Sequence, residues 1–196
     1  MTLVVAIPIG ADTVVVADRA RLLGGTTPTR RDDNALKIVA AGSRLAIAVV
    51  GDVSFGSPRP EDMIGAWMPM LVAEKATDRA QWLTNRASCT AIPTSAAGVL
   101  LLFDAEQPGS VAAITISPAP TSAGVVVTLA ISALRTDQPQ VWGVQSTWAA
   151  VSAVHWTPVS DAAAAAAVIR TGIELYAVNN PSEPVSQSTC TTVIRP

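Results

Sequence analysis

The order of elements legible in the chain predicts an α+β fold in which two β-sheets pack face to face and helices cover both outer sides. Three observations carry that expectation. Short β-branched runs open the chain, return in its middle and close it. Two blocks of helical spacing separate those runs. Apolar residues make up 49% of the 196 positions and charged residues only 14%. A chain of this length buries roughly 70% of its unfolded surface, enough for a core without staples. No internal linker divides it, so one domain over residues 1–196 is expected. The apolar share exceeds that of ordinary soluble domains, which leaves apolar surface for contact between subunits.

Residues 2–8 (TLVVAIP) and 12–19 (DTVVVADR) are β-branched runs separated by Ile9-Gly10-Ala11, the pattern of an opening hairpin. Residues 20–36, with Gly24-Gly25, Pro28 and the charged cluster RRDDN, read as a loop. Strands are expected again at 36–41 and 44–51, joined at Gly42-Ser43. Ile64, Trp67, Met68, Leu71 and Val72 then recur at helical spacing behind Pro60, and a helix pair fits residues 60–86 with Asp78 capping the second. Three strands follow at 98–104, 110–117 and 124–132. Helices are expected from Thr147 to Trp156 and from Ser160 to Val178, the latter capped by Ser160 and rich in alanine, the best helix former. QSTCTTVIR supplies a last strand.

Several function classes drop out. No uninterrupted run reaches the roughly 18 apolar residues of a membrane span, and the opening MTLVVAIPIGAD lacks a basic n-region, so a soluble, cytoplasmic protein is expected. The formal charge of -2 with scattered Lys and Arg offers no stripe for a nucleic-acid backbone. Cys89 and Cys190 form no CxxC pair, and the lone His155 beside Trp156 leaves too few ligands for zinc. Neither a metal nor a cofactor is expected.

The informative feature is the first two residues. Removal of Met1 would give Thr2 both a hydroxyl nucleophile and a free α-amine, whose unperturbed pKa of roughly 7.7–8.0 suits it to accept the hydroxyl proton near neutral pH. Nucleophile and base then reside in one residue. The segments VVVADRA at 14–20 and LKIVAAGSRLAIAVVGD at 36–52 contain three further residues that bear on this chemistry. Lys37, one of two lysines, heads an apolar strand where its charge needs a partner such as Asp18. Gly51 ends a buried strand before a helix, where its N–H can face a developing oxyanion.

With this element order, Thr2, Asp18, Lys37 and Gly51 resemble the proteasome β-subunit family, including the peptidase subunit of the bacterial ATP-dependent protease, over nearly the whole chain. The resemblance implies a four-layer αββα N-terminal nucleophile (Ntn) hydrolase fold. It also implies a ring-like homo-oligomer, an ATP-dependent unfoldase as candidate partner, and peptide or amide substrates. It makes Thr2 the nucleophile, Asp18 the carboxylate that fixes Lys37, and Gly51 N–H the oxyanion donor. A cation beside Thr2 would lower the pKa of its amine and favour its role as base. Ala35, Val39, Val49 and Val53 would line the primary pocket, with Arg21 at its rim, and small apolar walls favour an uncharged side chain.

Two positions depart from the family. In VWGVQSTWAA, Gly143 is kept while Val144 and Gln145 stand where Ser and Gly are expected, leaving Ser146 to approach from a shifted backbone. The Asp-x-x-Ser pattern after the last helix matches Asn179-Asn180-Pro181-Ser182, so Asn179 replaces the carboxylate and Ser182 remains. Two other readings follow: a catalytically inactive ring or scaffold subunit, and an Ntn amidohydrolase or acyltransferase acting on a small molecule.

Overall fold

The computed structural model describes residues 3–23, 30–53, 55, 59–92, 97–120, 124–143, 159–183 and 185–196. Strands β1 (Leu3–Ile9) and β2 (Asp12–Asp18) form the expected hairpin, turning at Gly10 with φ 61°. The expected loop holds a short hairpin of β3 (Arg21–Leu23) and β4 (Arg30–Asp32). Next come β5 (Ile38–Ala41) and β6 (Leu45–Asp52), then helices α1 (Pro60–Ala73) and α2 (Ala76–Thr90). Strands β7 (Ala97–Asp104), β8 (Ser110–Pro118), β9 (Val125–Ala133) and β10 (Gln140–Gly143) precede helix α3 (Ala162–Asn179) and strand β11 (Thr189–Ile194).

These strands build one sheet of order β10-β1-β2-β11 and one of order β5-β6-β7-β8-β9, every neighbouring pair antiparallel. Three apolar layers hold them together. Ile64, Trp67, Leu71 and Leu83 of α1 and α2 pack on Ile47, Val49, Leu100 and Ile114 of the five-stranded sheet. Val4, Ala6, Val15 and Ala17 face Ala46, Ala48, Leu101 and Phe103 between the sheets. On the far side, Leu3, Val5, Val14 and Val16 pack against Ala165, Ala166, Ile169 and Ile173 of α3. The arrangement is therefore αββα. It explains why β1 and β2 read as continuous apolar runs: both of their faces are covered, so no polar alternation is needed. The poly-alanine stretch of α3 works the same way, since small side chains let the helix lie close to the sheet.

Four local expectations change. The cap of α3 is Asp161 rather than Ser160: its side chain accepts from Ala164 N–H at 3.2 Å, the ordinary N-cap bond. Asp78 lies within the first turn of α2, whose N-cap is Lys75. The β3–β4 hairpin occupies part of the expected loop. Strand β10, unforeseen, adds the edge of the four-stranded sheet by pairing Leu3 with Gly143 and Val4 with Trp142. The helix expected at 147–156 lies outside the described residues.

Candidate active site

The hairpin β1–β2 delivers Asp18 to the end of the four-stranded sheet, beside the start of β1. Asp18 is fully buried, and its carboxylate gathers donors from four places. Oδ1 accepts from Leu3 N–H at 2.7 Å and from Lys37 Nζ at 2.8 Å. Oδ2 accepts from Ala20 N–H at 2.9 Å and Ser186 N–H at 3.3 Å. Lys37 is itself only 4% exposed, so the two charges form a buried ion pair. Such a pair is stabilising only where hydrogen bonds satisfy the remaining lone pairs, and the three backbone N–H groups do that here. Leu3 follows Thr2 directly, so the same carboxylate oxygen fixes the entry of the chain into β1 and the position of the lysine. Thr2 itself lies outside the described residues.

Gly51 stands near the end of β6 with φ 84°. It sits opposite Gly98 in β7, and a Cβ built on it would come 2.7 Å from Ala97 O and 2.9 Å from Gly98 Cα. Positive φ and this close approach both demand glycine. The direction of its N–H follows from the ladder. Val49 N–H bonds to Lys37 O at 2.9 Å, on the β5 side. Backbone groups alternate sides along a strand, so the Gly51 N–H also points to that side, past the residue where β5 begins. It therefore faces the end of the sheet from which Lys37 enters.

The C-terminal members fall differently. Asn179 is the exposed last residue of α3, and Ser182 is exposed in the turn that follows. The serine that reaches Asp18 is Ser186, 2% exposed, whose Oγ accepts from Ser188 N–H at 3.0 Å. Arg19 N–H to Ser188 O, at 3.0 Å, fastens the same segment. Sequence reasoning missed Ser186, although Glu183-Pro184-Val185-Ser186 carries an acid-x-x-Ser spacing; in the structure the segment leads directly into β11, which pairs with β2 from Thr189 opposite Asp18.

Of the expected pocket residues, Val39, Val49 and Val53 share one apolar cluster with Phe55 and Trp67, whose rings meet edge to face at 4.9 Å. Ala35 is buried and its N–H bonds to Arg19 O. Arg21 lies on β3 opposite Asp32. Val144, Gln145 and Ser146 lie outside the described residues.

Away from this end, Arg79 of α2 forms a second buried ion pair. Its guanidinium bonds both carboxylate oxygens of Asp104, Glu106 Oε1, Leu71 O and Val72 O. Burial works against its charge, but bonding and attraction from Asp104 and Glu106 outweigh it and raise its pKa. Cys190 lies behind Lys37, its Sγ donating to Ala17 O, and burial pushes its thiol pKa up. Among the described residues no cluster of His, Cys, Asp and Glu has the placement of a metal site, and no helix is long and apolar enough to cross a membrane.

No family model and no curated protein matches the sequence. Solved structures do match. Eukaryotic HslV from Trypanosoma brucei superposes with a TM-score of 0.57 at 12% identity, covering 99% of each chain. Thiobacillus denitrificans BPH, solved in complex with epoxomicin, superposes with a TM-score of 0.58 at 14% identity, covering 100% of this chain and 98% of that one. With two sheets between helical layers among its described residues and superpositions that cover nearly all of it, the chain has the αββα fold of the proteasome-like Ntn hydrolases.

Proposed function

We propose that the chain is a threonine-type Ntn hydrolase that cleaves peptide or amide bonds. The observation that carries the reading is the Asp18 carboxylate, which ties Lys37 Nζ to the N–H of Leu3, the residue after Thr2 in the chain, through one buried oxygen. Removal of Met1 frees the α-amine of Thr2. That amine takes the proton from Thr2 Oγ as the oxygen attacks the scissile carbonyl, and Gly51 N–H receives the oxyanion. The C–N bond breaks, the amine returns its proton to the leaving group, and water releases the acyl group by the same steps. Lys37, held by Asp18, supplies a fixed cation beside the amine. In this reading the supporting hydroxyl is that of Ser186, in place of exposed Ser182, and Asn179 takes no part.

In this reading Val39, Val49 and Val53 with Ala35 are the apolar walls for an uncharged substrate side chain, and Arg21 is assigned to the rim from the resemblance. The low charge content supports self-association; the ring-like form of that homo-oligomer, its place in the cytoplasm and an ATP-dependent unfoldase as candidate partner are what the resemblance to the proteasome-like peptidases adds. The test is Thr2→Ala in untagged protein against a panel of fluorogenic peptides. Turnover of wild type on uncharged residues, lost in a variant of unchanged circular dichroism, is expected. A variant that turns over substrate as wild type does would exclude the mechanism.

A further inference from the structure

Among the described residues, strand β9 is the outer strand of the five-stranded sheet and pairs only with β8. Its nine residues, VVVTLAISA, contain no charge, proline or glycine, the devices that normally blunt such an edge. Hydrogen bonds at both ends fix which groups point outward. Leu134 N–H bonds to Gly109 O, and Ala119 N–H bonds to Gly124 O, so the even-numbered residues face β8. By alternation, Val125, Val127, Leu129, Ile131 and Ala133 turn their N–H and C=O outward. Among the described residues the one bond made there is from Gln140 Nε2 to Ala133 O.

The geometry points to a second copy of this chain as the occupant, joined antiparallel through β9 about a two-fold axis at Leu129. That axis sets Leu129 against itself, Val127 against Ile131 and Val125 against Ala133, each an outward-facing residue meeting another; both bonds form at the inner pairs, and at the outermost Ala133 O accepts on its second lone pair or exchanges its bond from Gln140 Nε2. No charge opposes another, because the strand carries none, and the nearest charged residues, Arg135 and Asp137, pair with each other. The pairing also accounts for the side chains. Ile131 is 59% exposed and Val126 42%, while Val125, Val127 and Leu129 are half-covered at the margin of the helix-facing core. In the pair, Ile131 lies over Val127 of the second copy and the sheet runs on through both subunits. Such an interface is isologous, so it closes on itself rather than propagating. The inference stands independently of the hydrolase reading.

Hydrogen exchange on the full chain at micromolar concentration, read residue by residue beside its sedimentation mass, tests it. In wild type the amides of Val127, Leu129 and Ile131 should exchange as slowly as those of Thr128 and Ala130, in an assembly with an even number of chains. In Ile131→Lys the odd-numbered amides should lose protection while the even-numbered ones keep theirs. Leu129→Cys in a Cys89→Ser background should oxidise to one disulfide, between the two copies of position 129, because facing residues lie about 5.5 Å apart. Fast odd-numbered amides in wild type, protection that survives in an Ile131→Lys monomer, or no cross-link at 129 would each overturn the pairing.

Discussion

Among the described residues two ion pairs are buried, Asp18–Lys37 and Arg79–Asp104, and they do different things. Arg79 spends its planar fork on carboxylates and helix-end carbonyls, tying the C-terminus of α1 to α2 and to the end of β7. It is a joint. At Asp18 the carboxylate is the collector, and the groups it collects are the start of β1, the entry to β11 and a lysine. Lysine's ammonium is a compact point charge, where arginine's fork is a rigid multidentate donor. The contrast separates a pair that organises structure from one that holds a charge beside the start of β1.

Breaking each pair sharpens that contrast. Asp104→Ala leaves Arg79 charged and buried, and should cost about 3–5 kcal/mol in chemical denaturation with turnover per folded molecule unchanged. Lys37→Met should cost less, about 1–3 kcal/mol, since Asp18 keeps three backbone donors, yet cut turnover by about 10²-fold or more. A Lys37→Met enzyme of full activity would reduce this pair to a second joint. Gly51→Ala should cost about 1–3 kcal/mol through its positive φ and the clash with Ala97 O, and should lose turnover as well. Asp161→Ala, remote from both pairs, should lower stability by about 1 kcal/mol and leave turnover alone. The smallest effect concerns Cys190. With its pKa raised by burial, little of it is thiolate at about pH 8, so alkylation followed by mass spectrometry should label exposed Cys89 first.

The sequence revealed most of the fold because local signals agreed with it. Gly10 and Gly42 marked turns that do take positive φ, and helical spacing at Ile64, Trp67 and Leu71 lay on the face that α1 buries. What escaped was short or settled by partners distant in the chain. Strand β10 has four residues and exists because β1 offers it an edge; β3 and β4 have three each, and their charges resemble a loop. Asp18 and Lys37 could be paired in advance because an apolar strand cannot bury a lysine alone and the family resemblance named its partner. Ser186 shares the x-x-Ser spacing of Ser182, and what sets it apart, its burial and the bond of its N–H to a carboxylate 168 positions earlier, is visible only in the fold.

The central claim is that residue 2 is the nucleophile, and an intact-mass spectrum of untagged protein incubated with a threonine-reactive β-lactone tests it most directly. The account predicts loss of Met1 and a single adduct that maps to Thr2. A protein that retains Met1 and carries no adduct would contradict it.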